Sequence, residues 1–168
     1  MGLQHSHTSV PFSNRQFPIT ILCDSLESPA NIGSLFRICD SFGVEKILFY
    51  KGSIDLTSSR FKRTARDTYK HVDYAICTNI KSTIGEYIEK KYEIVSLEVS
   101  NVSISSENIC LNRKAVVLII GNEKFGISEE VLALTSKHVH IEMYGKNSSM
   151  NVVQATGIAL YALVNKLK

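Results

Sequence analysis

Three short stretches carry the side chains best suited to chemistry. They are Asn31 to Arg37 (NIGSLFR), Gly121 to Gly126 (GNEKFG) and Ile141 to Gly157 (IEMYGKNSSMNVVQATG). Together they hold Asn31, Arg37, Glu123, Ser149 and Asn151, a set able to bind and orient a polar ligand. In the third stretch Asn147, Ser148, Ser149 and Asn151 stand where a long helix should begin. Small polar side chains there cap free N–H groups, and the same donors and dipole end favour a ligand's oxygens. Gly33, Gly121, Gly126 and Gly145 would let the backbone approach a ligand closely. Other chemistries fail on specific residues. Gly121 to Ser128 misses a phosphate-binding P-loop because Ile127 stands where lysine is needed. His138 and His140 share one strand face without a third ligand in reach, which predicts a structural role and no metal site. No nucleophile elbow or Ser/His/Asp triad is evident.

The elements that must position these stretches alternate. Pro18 to Cys23 reads as a buried strand, and Ser28–Pro29 as the cap and first turn of a helix ending at Gly43. Lys46 to Tyr50, Val72 to Cys77 and Tyr92 to Leu97 read as strands, with a helix over Lys81 to Lys90. Residues 51–71 and 98–112 read as irregular. Ala115 to Ile120 is an unbroken apolar run, the mark of a strand buried on both faces. Ser128 opens a short helix, His138 to Ile141 is a strand, and a helix runs from about Ser149 to Leu167. The pattern predicts an α/β fold with a mostly parallel sheet flanked by helices, in which ligands bind beyond the carboxyl ends of the strands. The expected organisation is a tail over residues 1–16 and one domain over 17–168. The last helix has two apolar stripes, Val152/Ala155/Ala159/Leu163 and Val153/Leu160/Val164/Leu167. One stripe serving a partner helix in a dimer and a fully buried monomer helix both satisfy that pattern.

Composition bounds the partners. The 168 residues are 44% hydrophobic and 21% charged with a net charge of +3, as in a globular protein with no global signature of nucleic-acid binding. Locally, Arg60, Lys62, Arg63, Arg66 and Lys70 gather against only Asp55 and Asp67; a solvated, mobile loop and a surface that tracks RNA phosphates, with Phe61 and Tyr69 available for base stacking, both satisfy that pattern. Cys23, Cys39, Cys77 and Cys110 lack metal-site spacing and read as reduced thiols of a cytoplasmic protein. No apolar run approaches membrane-spanning length. Met1 to Ser6 fits the short myristoylation pattern, which nothing else supports. His5 and His7 read as part of a solvated tail.

Asn31 to Arg37 followed by Phe42–Gly43, Gly121 to Gly126, and Ile141 to Gly145 through Ser149 to Val152 resemble the three motifs of the SpoU/TrmH branch of the SPOUT RNA methyltransferases, in order and near family spacing. The likeness spans about residues 18–168. Glu142 stands where the family usually has proline, and Val153 where it often has serine. The resemblance implies a deep C-terminal trefoil knot, a homodimer packed partly through the last helix, and S-adenosylmethionine as cofactor. It implies 2′-O-methylation of a ribose in tRNA or rRNA. Carried over, Leu97, Gly121, Ile141, Met143, Ser149 and Met150 would hold the cofactor. Arg37 would clamp a substrate phosphate and stabilise negative charge developing on oxygen, since an always-protonated guanidinium is an awkward base. Asn31 and Asn151 would orient Arg37 or the ribose, Ser149 would supply a hydrogen bond, and Glu123 would fix the site or accept a proton. The rivals are a catalytically silent RNA-binding dimer and methylation of a base on the same scaffold.

Overall fold

In a computed structural model, which describes residues 14–168, seven strands form one sheet. The strands are β1 (Phe17–Asp24), β2 (Val44–Tyr50), β3 (Asp73–Cys77), β4 (Glu93–Leu97), β5 (Ile104–Ser105), β6 (Val116–Ile120) and β7 (Lys137–His140). The helices are α1 (Pro29–Ser41), α2 (Ser59–Ala65), α3 (Ile80–Glu89), α4 (Glu129–Leu132) and α5 (Val152–Leu167). Sheet order is β3-β2-β1-β6-β4-β7-β5, and every strand pair is parallel. All seven carboxyl ends therefore meet at one edge.

Alternation along the central strands builds a core on each face. Ile19, Ile21 and Cys23 of β1 and Val116, Leu118 and Ile120 of β6 pack with residues of α1 and α5. Leu22, Val117 and Ile119 face the other way, with Ile80 and Ile84 of α3 and Val131 of α4. Ser28 caps α1 by accepting from the Asn31 N–H, Pro29 occupies its first turn, and Gly43 leaves it with φ +62°. Cys23, Cys39 and Cys77 are buried thiols and Cys110 an exposed one; none is bridged. Burial pushes the Cys23 and Cys39 thiols upward, so both stay protonated.

Several expectations need correction. Residues 51–71 are not irregular: Ser59–Ala65 is helical, with a 3₁₀ turn at Thr68–Lys70. Phe61 is 1% exposed and is unavailable for stacking on a base. Its ring meets Phe36 edge-on at 5.8 Å and Tyr69 at 5.4 Å. The apolar spacing of Phe61 and Ala65 serves the core, a signal masked by the charges that flank it. Residues 98–112 contain β5 and a 3₁₀ turn at Ser106–Asn108. The last helix starts at Val152, because Asn151 is the side chain that caps it. Of the two arrangements left open for α5, both stripes follow the inward one: Val153, Ala159, Leu160, Leu163 and Val164 are buried, and Val152, Ala155 and Leu167 are half-buried. Its exposed apolar residues are instead Ile158 (42%) and Tyr161 (65%). Residues 1–13, which include the myristoylation pattern, His5, His7 and most of the expected tail, lie outside the described residues.

Gly33 is explained by packing, not by a ligand. A Cβ there would stand 2.6 Å from the Phe61 carbonyl oxygen and 2.9 Å from the Ala65 nitrogen, both backbone atoms of α2. Phe61→Ala should lower stability by about 3–5 kcal/mol through the cavity it leaves. Gly33→Ala should cost about 1–3 kcal/mol by overpacking. Urea unfolding measures both; an unchanged midpoint for Phe61→Ala would contradict this placement.

Candidate active site

The chain leaves β1 toward β2 on one side and leaves β6 toward β7 on the other, so adjacent strands diverge between β1 and β6. Such a switch point opens a crevice at the carboxyl edge of a parallel sheet. Here a cavity of about 550 Å³ lies beyond β4, β6 and β7. Its walls include Leu97 to Val99, Gly121 to Lys124, Gly126, Ile141, Met143 and Ser148 to Val152, with Asn31 at the start of α1. All six residues expected to hold a cofactor (Leu97, Gly121, Ile141, Met143, Ser149 and Met150) line it. So do Asn31, Glu123, Ser149 and Asn151.

A line of hydrogen bonds ties the three sequence stretches together. Asn31 Nδ2 donates to Glu123 Oε1 at 2.8 Å, and the Ser28 N–H donates to the same oxygen at 3.2 Å. Asn151 Nδ2 donates to Asn31 Oδ1 at 3.1 Å. Asn151 Oδ1 in turn accepts from the N–H groups of Val153 (2.9 Å) and Gln154 (3.3 Å) at the head of α5. An asparagine at position 31 is needed because it must donate one way and accept the other.

The floor of the cavity depends on close backbone approach. At Gly121 a Cβ would lie 2.2–2.5 Å from atoms of Gly126 and Ile127. At Gly126 (φ +67°) it would lie 2.4 Å from Glu98 Oε2. These two glycines let protein segments close on each other, while at Gly145 nothing lies within 4 Å. Glu98, which no motif pointed to, is structural as well as cavity-lining: its Oε2 accepts from the Ile127 N–H at 3.0 Å and its Oε1 from the Val99 N–H at 3.0 Å. Asn122, inside the second motif but given no role by it, is likewise structural and cavity-lining. Its Nδ2 donates to the Ser25 carbonyl at 2.7 Å, and its Oδ1 accepts from the Lys124 and Phe125 N–H groups. An Asn after the strand-ending glycine, with a second glycine four residues on, is a turn signal that could have found it.

Beneath the loops, buried Asp24 at the end of β1 accepts from the N–H and hydroxyl of Ser128 at 2.8 and 2.6 Å, fixing the entry to α4. Glu142 accepts from the exposed Tyr144 hydroxyl at 3.1 Å, which raises the Tyr144 pKa. Val153 is buried in the core. His138 meets Ser96 and Thr135, and His140 meets Ser103. Among the described residues no three His, Cys, Asp or Glu side chains gather to hold a metal ion.

Arg37 is not brought to this cavity. It is exposed, shares a face of α1 with Gly33 one turn earlier, and its guanidinium makes no ion pair or hydrogen bond among the described residues. Six residues of helix put it about 9 Å further along the axis than Asn31. Arg60, Lys62, Arg63 and Arg66 are exposed on or just beyond α2, the helix packed against that face. Lys70 is exposed but is engaged by Asp67 at 2.7 Å, which raises the lysine's pKa and lowers the carboxyl's.

The cavity suits a ligand with apolar and polar parts. Leu97, Ile141, Met143 and Met150 offer apolar walls, while Glu123, Ser149, Asn151 and close backbone offer polar partners. Its volume is in the range of about 300–1,000 Å³ typical of small-molecule sites. An adenosine-containing cofactor with a flexible charged arm fits that donor set.

Comparison with known proteins agrees with this geometry. The chain is 28% identical over 147 residues to the tRNA (guanosine(18)-2′-O)-methyltransferase of Aquifex aeolicus, covering 88% of this chain and 69% of the relative. It is 24% identical over 143 residues to the 23S rRNA (guanosine(2553)-2′-O)-methyltransferase RlmP of Bacillus subtilis, covering 85% of this chain and 56% of that one. The crystal structure of the A. aeolicus TrmH/SpoU tRNA modifying enzyme superposes with a TM-score of 0.79 at 26% identity, over 91% of this chain and 77% of that one. The profile of the SpoU rRNA Methylase family matches residues 18–161, a span that takes in all three loops at the carboxyl edge of the sheet. With the motifs joined by hydrogen bonds around one cavity and the profile covering most of its length, the chain belongs to the SpoU rRNA methylase family.

Proposed function

We propose that the protein transfers a methyl group from S-adenosylmethionine to a ribose 2′-hydroxyl of tRNA or rRNA. The observation that carries this reading is the cavity shared by all three motifs, with Asn31, Glu123 and Asn151 hydrogen-bonded at its wall. Leu97, Gly121, Ile141, Met143, Ser149 and Met150 would hold the cofactor, which when bound supplies an electrophilic methyl group. Residues 17–168 act as one methyltransferase domain. A cytoplasmic location belongs to the same reading; among the described residues no helix is long and apolar enough to cross a membrane.

The chain's own task is to hold a hydroxyl in line and manage its proton. Glu123 Oε1 is occupied by Ser28 and Asn31 and orients the first turn of α1. Ser149 and Asn151 face the space where the ribose would enter. Arg37 serves as the phosphate clamp and the stabiliser of negative charge on the attacking oxygen.

We propose further that the active unit is a homodimer. The exposed Ile158 and Tyr161 of α5 form, with Ile38, Phe42, Met150 and Gly157, an apolar groove across α1 and α5. A two-fold interface here buries that surface. Because Arg37 adjoins Ile38 but lies away from its own cavity, it serves the cavity of the partner. A deep trefoil knot at the C-terminal end belongs to the same reading. In its support, β7 inserts between β4 and β5, which precede it in the chain and are joined only by residues 98–103.

Incubation with labelled S-adenosylmethionine and unmodified total RNA, followed by nucleoside mass analysis, tests the function. A 2′-O-methyl nucleoside is expected; a methylated base, or cofactor binding without transfer to any RNA, would overturn it. Arg37→Ala should abolish transfer while cofactor affinity by calorimetry stays within about threefold, a difference of well under 1.4 kcal/mol. Mixing Arg37→Ala with the cavity variant Asn31→Ala should restore turnover through hybrid dimers, and continued inactivity would mean that Arg37 acts within its own chain. Charge reversal at Arg63 and Arg66 should weaken RNA binding and flatten its salt dependence, by about 0.7–0.9 in slope for each phosphate no longer neutralised. Unchanged affinity would mean that the RNA tracks another surface.

A further inference from the structure

Phe125 is 85% exposed at the tip of the loop after β6. A solitary exposed apolar residue is ordinary on a protein surface. This one is distinguished by how firmly it is held and by where it stands. The Asn122 N–H donates to the Gly126 carbonyl at 2.9 Å and the Gly126 N–H to the Asn122 carbonyl at 3.0 Å, closing the loop on itself. Asn122 Oδ1 accepts from the Lys124 N–H at 2.9 Å and from the Phe125 N–H itself at 3.2 Å. Asn122 Nδ2 then anchors the turn to the Ser25 carbonyl at 2.7 Å. These bonds fix the backbone that carries Phe125, and the ring projects from it into solvent.

The position is informative too. Lys124 and Gly126, on either side, line the cavity, whereas Phe125 does not. The ring therefore stands outside the mouth while its neighbours form the wall. Tyr144 is as exposed, but its hydroxyl is engaged by Glu142. Phe125 has no polar atom and no such partner, so only its apolar faces and edge are on offer.

We infer that Phe125 is a stacking platform for a base of the RNA at the mouth of the cavity. The inference rests on the methyltransferase reading for what enters the site. A ribose that reaches into the cavity leaves its base and neighbouring bases outside, at the level of this ring. Lys124, exposed and without an ion pair among the described residues, stands beside it to meet a phosphate. The ring's sequence neighbours are Glu123, Lys124 and Gly126, which is too polar a frame for an apolar protein interface, and π-faces suit any of the four bases. Preorganisation by Asn122 keeps the ordering cost low.

Two fluorescein-labelled single-stranded RNA probes of equal length test this, one of mixed sequence and one with abasic positions, titrated against the full chain. Phe125→Ala should weaken binding of the base-bearing RNA by about tenfold, within the usual range for base–aromatic stacking, and leave abasic binding little changed. Phe125→Trp should retain the preference and Phe125→Leu should lose most of it. Equal effects on both probes, no effect on either, or full rescue by leucine would overturn the platform. So would loss of self-association on Phe125→Ala, which would assign the ring to a protein interface. Calorimetry with S-adenosylmethionine separates the two readings. A stacking preference without cofactor binding would sink the methyltransferase reading alone, and cofactor binding without the preference would sink the platform alone.

Discussion

The site depends on one directional line of side chains, Glu123 to Asn31 to Asn151 to the head of α5. Its members are 92 and 120 residues apart in sequence and sit on connections that follow three different strands. The bonds between its side chains are exposed and contribute on the order of 1 kcal/mol each. Their value is geometric more than energetic. The parallel sheet brings the three connections to a common edge, and the asparagine amides then fix how the connections face one another. A carboxylate at position 31 could not donate to Glu123, and an aliphatic residue could neither donate nor accept. The cap of α5 belongs to the same line, so the helix start and the cavity wall share one residue.

The same economy appears in the glycines. Gly121 and Gly126 admit backbone and Glu98, and Gly33 admits α2 against α1. Each is a place where protein meets protein, and the cavity results from how closely those segments approach. The buried Asp24 acts similarly below, tying β1 to the entry of α4 through Ser128. Polar residues thus organise the carboxyl edge, while the two apolar cores carry the stability of the sheet.

Much of this is legible in the sequence because it rests on local signals. Unbroken apolar runs such as Val116 to Ile120 mark strands buried on both faces, and Ser28–Pro29 marks a helix start. The cavity residues are legible through the motif resemblance, and pattern alone does not join Leu97 to Met150. What escapes is set by tertiary packing. The charges around Phe61 outweigh its core spacing, so α2 reads as loop. The stripes of α5 both serve the core because a helix lying on the sheet between α1 and neighbouring elements buries a wide arc. Arg37 has the residue type suited to the chemistry, but its distance from the cavity follows from helix phase, which only the packing of Gly33 on α2 reveals.

The central claim is that the loops after β4, β6 and β7 form a single cofactor site. Hydrogen exchange with mass analysis, with and without saturating S-adenosylmethionine, tests it most directly. Protection is expected to be confined to residues 97–99, 121–126 and 141–151 together with the first turns of α1 and α5, with none over α2. Protection elsewhere, or no change across those three loops despite measurable binding, would contradict it.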